Sequence, residues 1–397
     1  MTKAKKIIGF LLLLSSTLTM MSGAIIAPSL PAISKYFAAL PHAEFLTKII
    51  LTIPAIVITF TAPFVGSISR KTGKIRLLLL AYLLYGLAGS AGLYLDNLYF
   101  ILLSRMFFGL SVSVILTITT TLIGDYFTGN QRSRFISMQG SFVSGAGILF
   151  ITFSGVLADT SWRLPFAIYL FPFIFLLPAI KYFYEPPSDN DNSSQNIQNV
   201  KRKLSGFSVY YVYALSFLGM LFFYLIPVHL PFLLVDTLHQ NASMTGIAIA
   251  IMSISGATIS WFYKNIKAYL DFFPIFSIAF LVMGAGFVIV GLAQNIVILI
   301  TGLVVSGYGL GLLVPNSNLF FIDNAAPGRR TKLLGGLSSA FFLGQFSSPV
   351  ISEPLFRLTG TQTGFLYFAA ATLILSGIVA IKYYKNKARV KPVTTIS

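Results

Sequence analysis

Apolar stretches of roughly 20 residues recur from one end of this chain to the other. A helix of that length, rising about 1.5 Å per residue, crosses the roughly 30 Å of hydrocarbon in a bilayer. Lipid offers backbone groups no partners, so such continuous runs cross as α-helices, whose hydrogen bonds close within each segment. The chain is therefore expected to be an all-α membrane protein. Only 10% of its residues are charged, against about 25% in soluble domains, which agrees with that expectation.

Reading the apolar windows between charged or turn-rich breaks gives twelve transmembrane helices, at 7–27, 46–69, 77–95, 98–124, 135–158, 164–184, 208–234, 243–263, 272–293, 295–321, 333–352 and 363–384. Lys3, Lys5 and Lys6 followed by an apolar run have the form of a signal peptide. The run continues past the usual signal length without a clear cleavage site, and reads as a retained first span. The longest hydrophilic stretch, EPPSDNDNSSQNIQNVKRKLSG from Glu185 to Gly206, reads as a connector rich in Pro, Asn and Ser. It divides the chain into a six-helix bundle over 1–184, a cytoplasmic linker over 185–207, and a second six-helix bundle with a short basic tail over 208–397.

The formal charge of +17 raises the question of a nucleic-acid partner. The basic residues answer it by their distribution. With the N-terminus in the cytoplasm, 23 Lys and Arg fall in inner segments and 4 (Lys35, Lys48, Arg163, Arg357) in outer ones, while Arg105 alone sits inside a span. That asymmetry is a topology signal that puts both termini inside. It forms no single basic face, so no nucleic-acid partner is expected.

An offset of 198 residues superposes Gly86 on Gly284, Asn97 on Asn295, Gly109 on Gly307, Asp125 on Asp323 and Arg132 on Arg330. The matching residues occupy matching places: a turn, a glycine inside the next span, then an acid and a base at its inner end. Parallel duplication of six-helix halves is one known construction of secondary transporters.

The hairpin between spans 2 and 3 reads Gly66-Ser-Ile-Ser-Arg70-Lys-Thr-Gly73-Lys74-Ile-Arg76. It resembles the signature of the major facilitator superfamily, with Arg70 standing where the family usually has an acid. Span 4 adds Leu102-Leu-Ser-Arg105-Met-Phe-Phe-Gly109, similar to the family's buried arginine followed four residues later by glycine. Gly124-Asp125-Tyr-Phe, with Arg132 and Arg134, resembles the acid-to-arginine connection that follows. Span 5 carries Gly140, Gly145, Gly147 and Gly155 and is similar in part to the antiporter signature of the drug-efflux branch. Phe150-Ile151 stands where that signature has a glycine–proline pair. Trp162-Arg163, opening span 6, is also similar to the family. The resemblance implies alternating access and an inner latch, here Gly66, Arg70, Gly73, Lys74, Asp125 and Arg132, repeated by Asp323 and Arg330. Asp125 is expected to reach Arg70, Lys71 or Lys74.

Coupling candidates come from the residues that lipid penalises most. Arg105 lies about 10 Å deep, where an arginine costs at least about 2.5 kcal/mol and faces a bundle interior or cavity, or else snorkels outward. Span 1 has no acid, and of the eleven Asp and Glu only Glu353, in Ser-Glu-Pro of span 11, is not clearly at a span end. His229 lies between Pro227 and Pro231, whose missing hydrogen bonds free carbonyls as happens beside a cavity. A histidine there either titrates near neutrality or serves as a structural hydrogen-bonding group. A proton site is expected to involve Arg105 with Glu353 or His229. Thr117, Phe142, Tyr224, Asn316, Asn318 and Gln345 are candidates for an apolar, aromatic substrate cavity with few fixed charges, although each also suits a plain interhelical bond.

No cysteine is present, only three His occur, and neither a phosphate-binding loop nor an H-E-x-x-H pair is found. No enzyme, cofactor or metal is expected. The reading is a monomeric, multi-pass transporter of a bacterial inner membrane, moving small hydrophobic or amphipathic solutes, with proton-coupled efflux as the driving scheme. The alternatives are a specific metabolite or siderophore carrier, a uniporter, or a transporter fold used as a sensor.

Overall fold

The computed structural model describes residues 3–186 and 206–389; the connector expected over 185–207 falls largely outside the described residues. Thirteen α-helices are described: α1 (Lys3–Ala24), α2 (Leu30–Tyr36), α3 (Ala43–Thr72), α4 (Lys74–Gly89), α5 (Leu98–Tyr126), α6 (Gly129–Thr160), α7 (Pro172–Tyr182), α8 (Gly206–Phe232), α9 (Ala242–Tyr269), α10 (Phe272–Gly291), α11 (Ile296–Asn324), α12 (Pro327–Thr359) and α13 (Thr361–Arg389). Helices α1 and α2 are one span, broken by a tight turn at Ala27–Ser29 where Pro28 lacks an amide proton. Leu164–Leu170 likewise precedes α7 in a single span. The result is twelve transmembrane passes.

Among the described residues, eleven spans are long and apolar enough to cross a bilayer unaided. The exception is α12, 33 residues that carry Lys332, Gln345, Glu353 and Arg357. Its polar side chains are explained by its neighbours, because α12 packs between α8 and α3.

The repeat seen in the sequence has a physical basis. Asn97 caps α5 by accepting from the amides of Tyr99 and Phe100, and Asn295 caps α11 by accepting from that of Ile298. Gly109 lets α5 approach Pro54 of α3, and Gly307 lets α11 approach Met252 of α9. Gly86 admits the ring of Phe173, and Gly284 admits Leu373. Each pair therefore sits at the same contact in its own half.

Buried apolar side chains form two cores, one of residues between Ile8 and Phe183 and one mainly of residues between Val212 and Val379. Ala27, Leu30, Leu51 and Ile151 of the first half join the second core. The halves meet along two helix pairs, α3 with α12 and α6 with α9. A six-span shift exchanges these pairs, so the seam is pseudo-symmetric.

Candidate coupling and transport site

The seam is closed at one end. At the end away from the termini, called distal here, the backbone of Gly155 in α6 comes against that of Ser243 and Gly246 in α9. Asp159 accepts from the Ser243 amide at 3.1 Å. Tyr224 of α8 sets its hydroxyl against Gly23 of α1. Toward the termini the same helices part. No atom lies within 4 Å of where a Cβ would stand at Gly66, Gly140, Gly145 or Gly335. The molecule is thus shut distally and open at the end bearing the termini.

At the distal seam lies an ion pair that joins the halves. Lys48 of α3 is 2% exposed, and its Nζ donates to Glu353 Oε2 of α12 at 2.6 Å. The same ammonium donates to Glu44 Oε1, one turn earlier on α3, at 2.7 Å. It also stands 4.7 Å above the ring of Phe232. Beside the pair, His229 Nε2 is 2.7 Å from Ser352 Oγ, and its imidazole stacks on Phe356 at 3.6 Å. The two prolines around His229 bend α8, which ends in a wider turn over Leu233–Thr237 carrying Asp236.

Two expectations need correction. Lys48 was counted with the outer-loop bases, but it is buried inside a span. The signal was present in Glu44-x-x-x-Lys48, an i,i+4 pair at the start of an apolar window. Arg105 pairs with neither Glu353 nor His229. Fully buried in the first half, it donates through Nη2 to the Tyr169 hydroxyl at 3.1 Å and through Nη1 to the Gly89 carbonyl at 3.5 Å. Its guanidinium lies over the rings of Phe108 at 4.1 Å and Tyr169 at 4.7 Å. An aromatic cage, with no carboxylate, compensates its charge.

The latch residues also differ from expectation in one respect. Lys74 Nζ meets Asp125 Oδ2 at 2.8 Å, both side chains partly exposed, while Arg70 turns to Ser67 at 3.4 Å. This pair joins α4 to α5 within one half and is intact with the termini end open. Gly73, at φ +86°, makes the turn between α3 and α4 that side-chain-bearing residues rarely adopt. Glu185 accepts from the amides of Lys74 and Ile75 at 2.7 and 3.0 Å, capping α4 from the start of the connector, a role the sequence did not suggest. The Arg132 guanidinium lies against Gly124. In the second half Arg330 bonds the Ala325 carbonyl, and among the described residues Asp323 has no ion pair.

The cavity candidates separate into two groups. Asn316 is fully buried, accepting from Tyr263 and donating to the Phe272 carbonyl, each at 2.9 Å, so it ties α11 to α9 and α10. Asn318 and Thr117 donate to backbone carbonyls of their own helices. Phe142 meets Phe10 edge to face at 6.3 Å, and Gln345 is half-buried on α12. Tyr224 is part of the distal seam. A polar group missed by sequence joins three helices of the first half: Gln139 donates to Ser16 at 2.9 Å and Thr120 at 3.2 Å.

Two six-helix halves with a seam shut at one end and open at the other define a multi-pass membrane transporter. The Major Facilitator Superfamily profile matches residues 12–270 and 268–395, and the chain belongs to that family. It is a secondary transporter, not an enzyme. The Quinolone resistance protein NorA of Staphylococcus aureus (strain MRSA252) is 22% identical over 347 residues, covering 83% of this chain and 85% of that one. The Bacillibactin exporter of Bacillus subtilis (strain 168) is 23% identical over 369 residues, covering 88% of each. In fold, the chain resembles a D-xylose-proton symporter with a TM-score of 0.74 at 16% identity, covering 94% of this chain and 96% of that one. It also resembles a bacterial homolog of the human lysosomal transporter Spinster, with a TM-score of 0.76 at 14% identity and 96% and 98% coverage.

Proposed function

We propose that the protein is a proton-coupled exporter of small hydrophobic or amphipathic solutes in a bacterial cytoplasmic membrane, with both termini in the cytoplasm. The observation that carries this reading is the Lys48–Glu353 pair, an acid held in the seam that must open for each turnover. The termini end, rich in Lys and Arg, faces the cytoplasm under the positive-inside rule, so the open end admits solute from inside. The bundles 1–184 and 208–397 rock about the seam and expose the space between them to each side in turn. Relatives named for quinolone resistance and for bacillibactin export favour outward transport of bulky organic solutes. The test is purified protein in proteoliposomes with an imposed pH gradient, assayed with a quinolone and with bacillibactin. Uphill movement of either solute against the proton flow is the expected result. Flux indifferent to the gradient would leave a uniporter, and absence of flux for both would overturn the solute class.

A further inference from the structure

We infer that Glu353 is the group that carries the driving proton and that Lys48 is the group that expels it, with Glu44 holding the lysine while the seam is open. The inference deepens the coupled-export reading and rests on it for direction. Lys48 has two carboxylate partners of different kinds. Glu44 lies on its own helix and travels with it, whereas Glu353 belongs to the other half. When the halves separate distally, Lys48 keeps Glu44 and Glu353 is left without a cation. The burden of an unpaired charge therefore falls on one residue only. Glu44 is more than half exposed to water, but Glu353 is 12% exposed among apolar neighbours, so the proton goes to Glu353.

At Glu353, holding a proton and closing the seam exclude each other. The pair at 2.6 Å needs the carboxylate, and a neutral acid gives Lys48 no counter-charge. As the distal end shuts, the O–H bond of Glu353 breaks, its electron pair stays on the carboxylate, and the proton passes to water. With the distal end closed, the route out of the seam leads toward the termini. A proton taken up distally is thus released at the opposite end, as export driven by proton entry requires. Reopening without a proton must break the ion pair, a step that bound solute supports.

Charged and titratable groups around the site are few. Glu44 and Lys48 come from α3, and His229 and Asp236 from α8 and its end. Asp236 also feels His239 and Lys35. Arg357 lies one turn on along α12 itself, and α13 has no charged residue between 361 and 381. His229 is engaged by Ser352 and stacked on Phe356, which leaves Glu353 as the group whose charge the seam reads.

The experiment measures the distal distance between spin labels at Ala39→Cys and Thr237→Cys, in detergent, between pH 5 and pH 8. One linked proton changes the open-to-closed ratio by up to about tenfold per pH unit, with acid opening the wild-type distal end. Glu353→Gln abolishes the response, while Glu44→Gln and His229→Asn keep it. Lys48→Met reverses its sign, because an unpaired carboxylate is then easier to bury when protonated. Persistence of the response in Glu353→Gln, or an unreversed response in Lys48→Met, overturns the inference. A flat wild-type profile overturns it as well. Should the distal response behave as stated while proteoliposomes show no proton-driven flux, the export reading falls and this assignment stands.

Discussion

Adding one methyl group at Gly246 should open the distal end. A Cβ there would stand 2.6 Å from the Ile151 carbonyl oxygen and 3.2 Å from the Gly155 Cα. Favourable contact lies at about 3.5 Å, so the two backbones must part by roughly 0.9 Å at the first of these contacts. Overpacking of this size costs about 1–3 kcal/mol. The penalty exists only where α6 and α9 touch, so it falls on the distal-closed state alone. A bias of 1–3 kcal/mol corresponds to about a 5–150-fold shift in the ratio of the two states. Gly246→Ala is therefore expected to lengthen the distance between labels at Ala39→Cys and Thr237→Cys, and to shorten that between Thr72→Cys and Thr331→Cys at the other end. Since the chain has no native cysteine, the labels go only where they are placed. Unchanged distance distributions at both ends would refute the claim that this glycine pair sets the closed seam.

Arg105→Ala should lower the unfolding midpoint in detergent by removing a buried guanidinium from its aromatic cage, a loss of about 2–4 kcal/mol. The ratio of proton-driven to downhill flux should stay as in the wild type, and a selective loss of driven flux would restore Arg105 to the coupling site. Gly73→Ala should destabilise by about 1–3 kcal/mol, since its φ of +86° strains any side-chain-bearing residue, and an unaltered melt would contradict the turn geometry. Asp125→Asn removes a half-exposed pair within one half and should change stability by no more than about 1 kcal/mol. A pronounced change in the two inter-half distances of that variant would reinstate a latch between states. Single cysteines placed in 188–204 should react with an impermeant maleimide only in inverted vesicles, and labelling in intact cells would overturn the orientation.

The architecture could be read from the sequence because lipid leaves so few options. Apolar length gave the spans, and the 198-residue offset gave the duplication, whose caps and close-approach glycines recur at equivalent contacts. The site was legible only in part. Glu353 was picked out by its place inside a span, and Asp125 by its place beside a basic hairpin. Its partner could not be named, because Arg70, Lys71 and Lys74 are equally spaced candidates until the turn at Gly73 aims one of them. Lys48 was missed because counting bases by loop assigns a residue near a span end to the water. Its burial depends on α12, more than 300 positions away in the chain, arriving with a carboxylate. Arg105 misled for the opposite reason. A buried cation suggests an anion, but Phe108, Tyr169 and a carbonyl suffice.

The polarity of α12 bears on how the chain enters the bilayer. Alone among the twelve passes it falls short of the apolarity that admits a helix to lipid by itself, so its insertion depends on company. The order of synthesis supplies that company. Helices α3 and α8, its two flanking neighbours, are translated first, and Lys48 is already in the membrane when Glu353 leaves the ribosome. A circular permutant that began at the connector and placed α12 ahead of α3 would present Glu353 to lipid before its cation existed. Such a chain would keep every contact of the mature protein and still assemble poorly, which makes gene order itself a part of the fold.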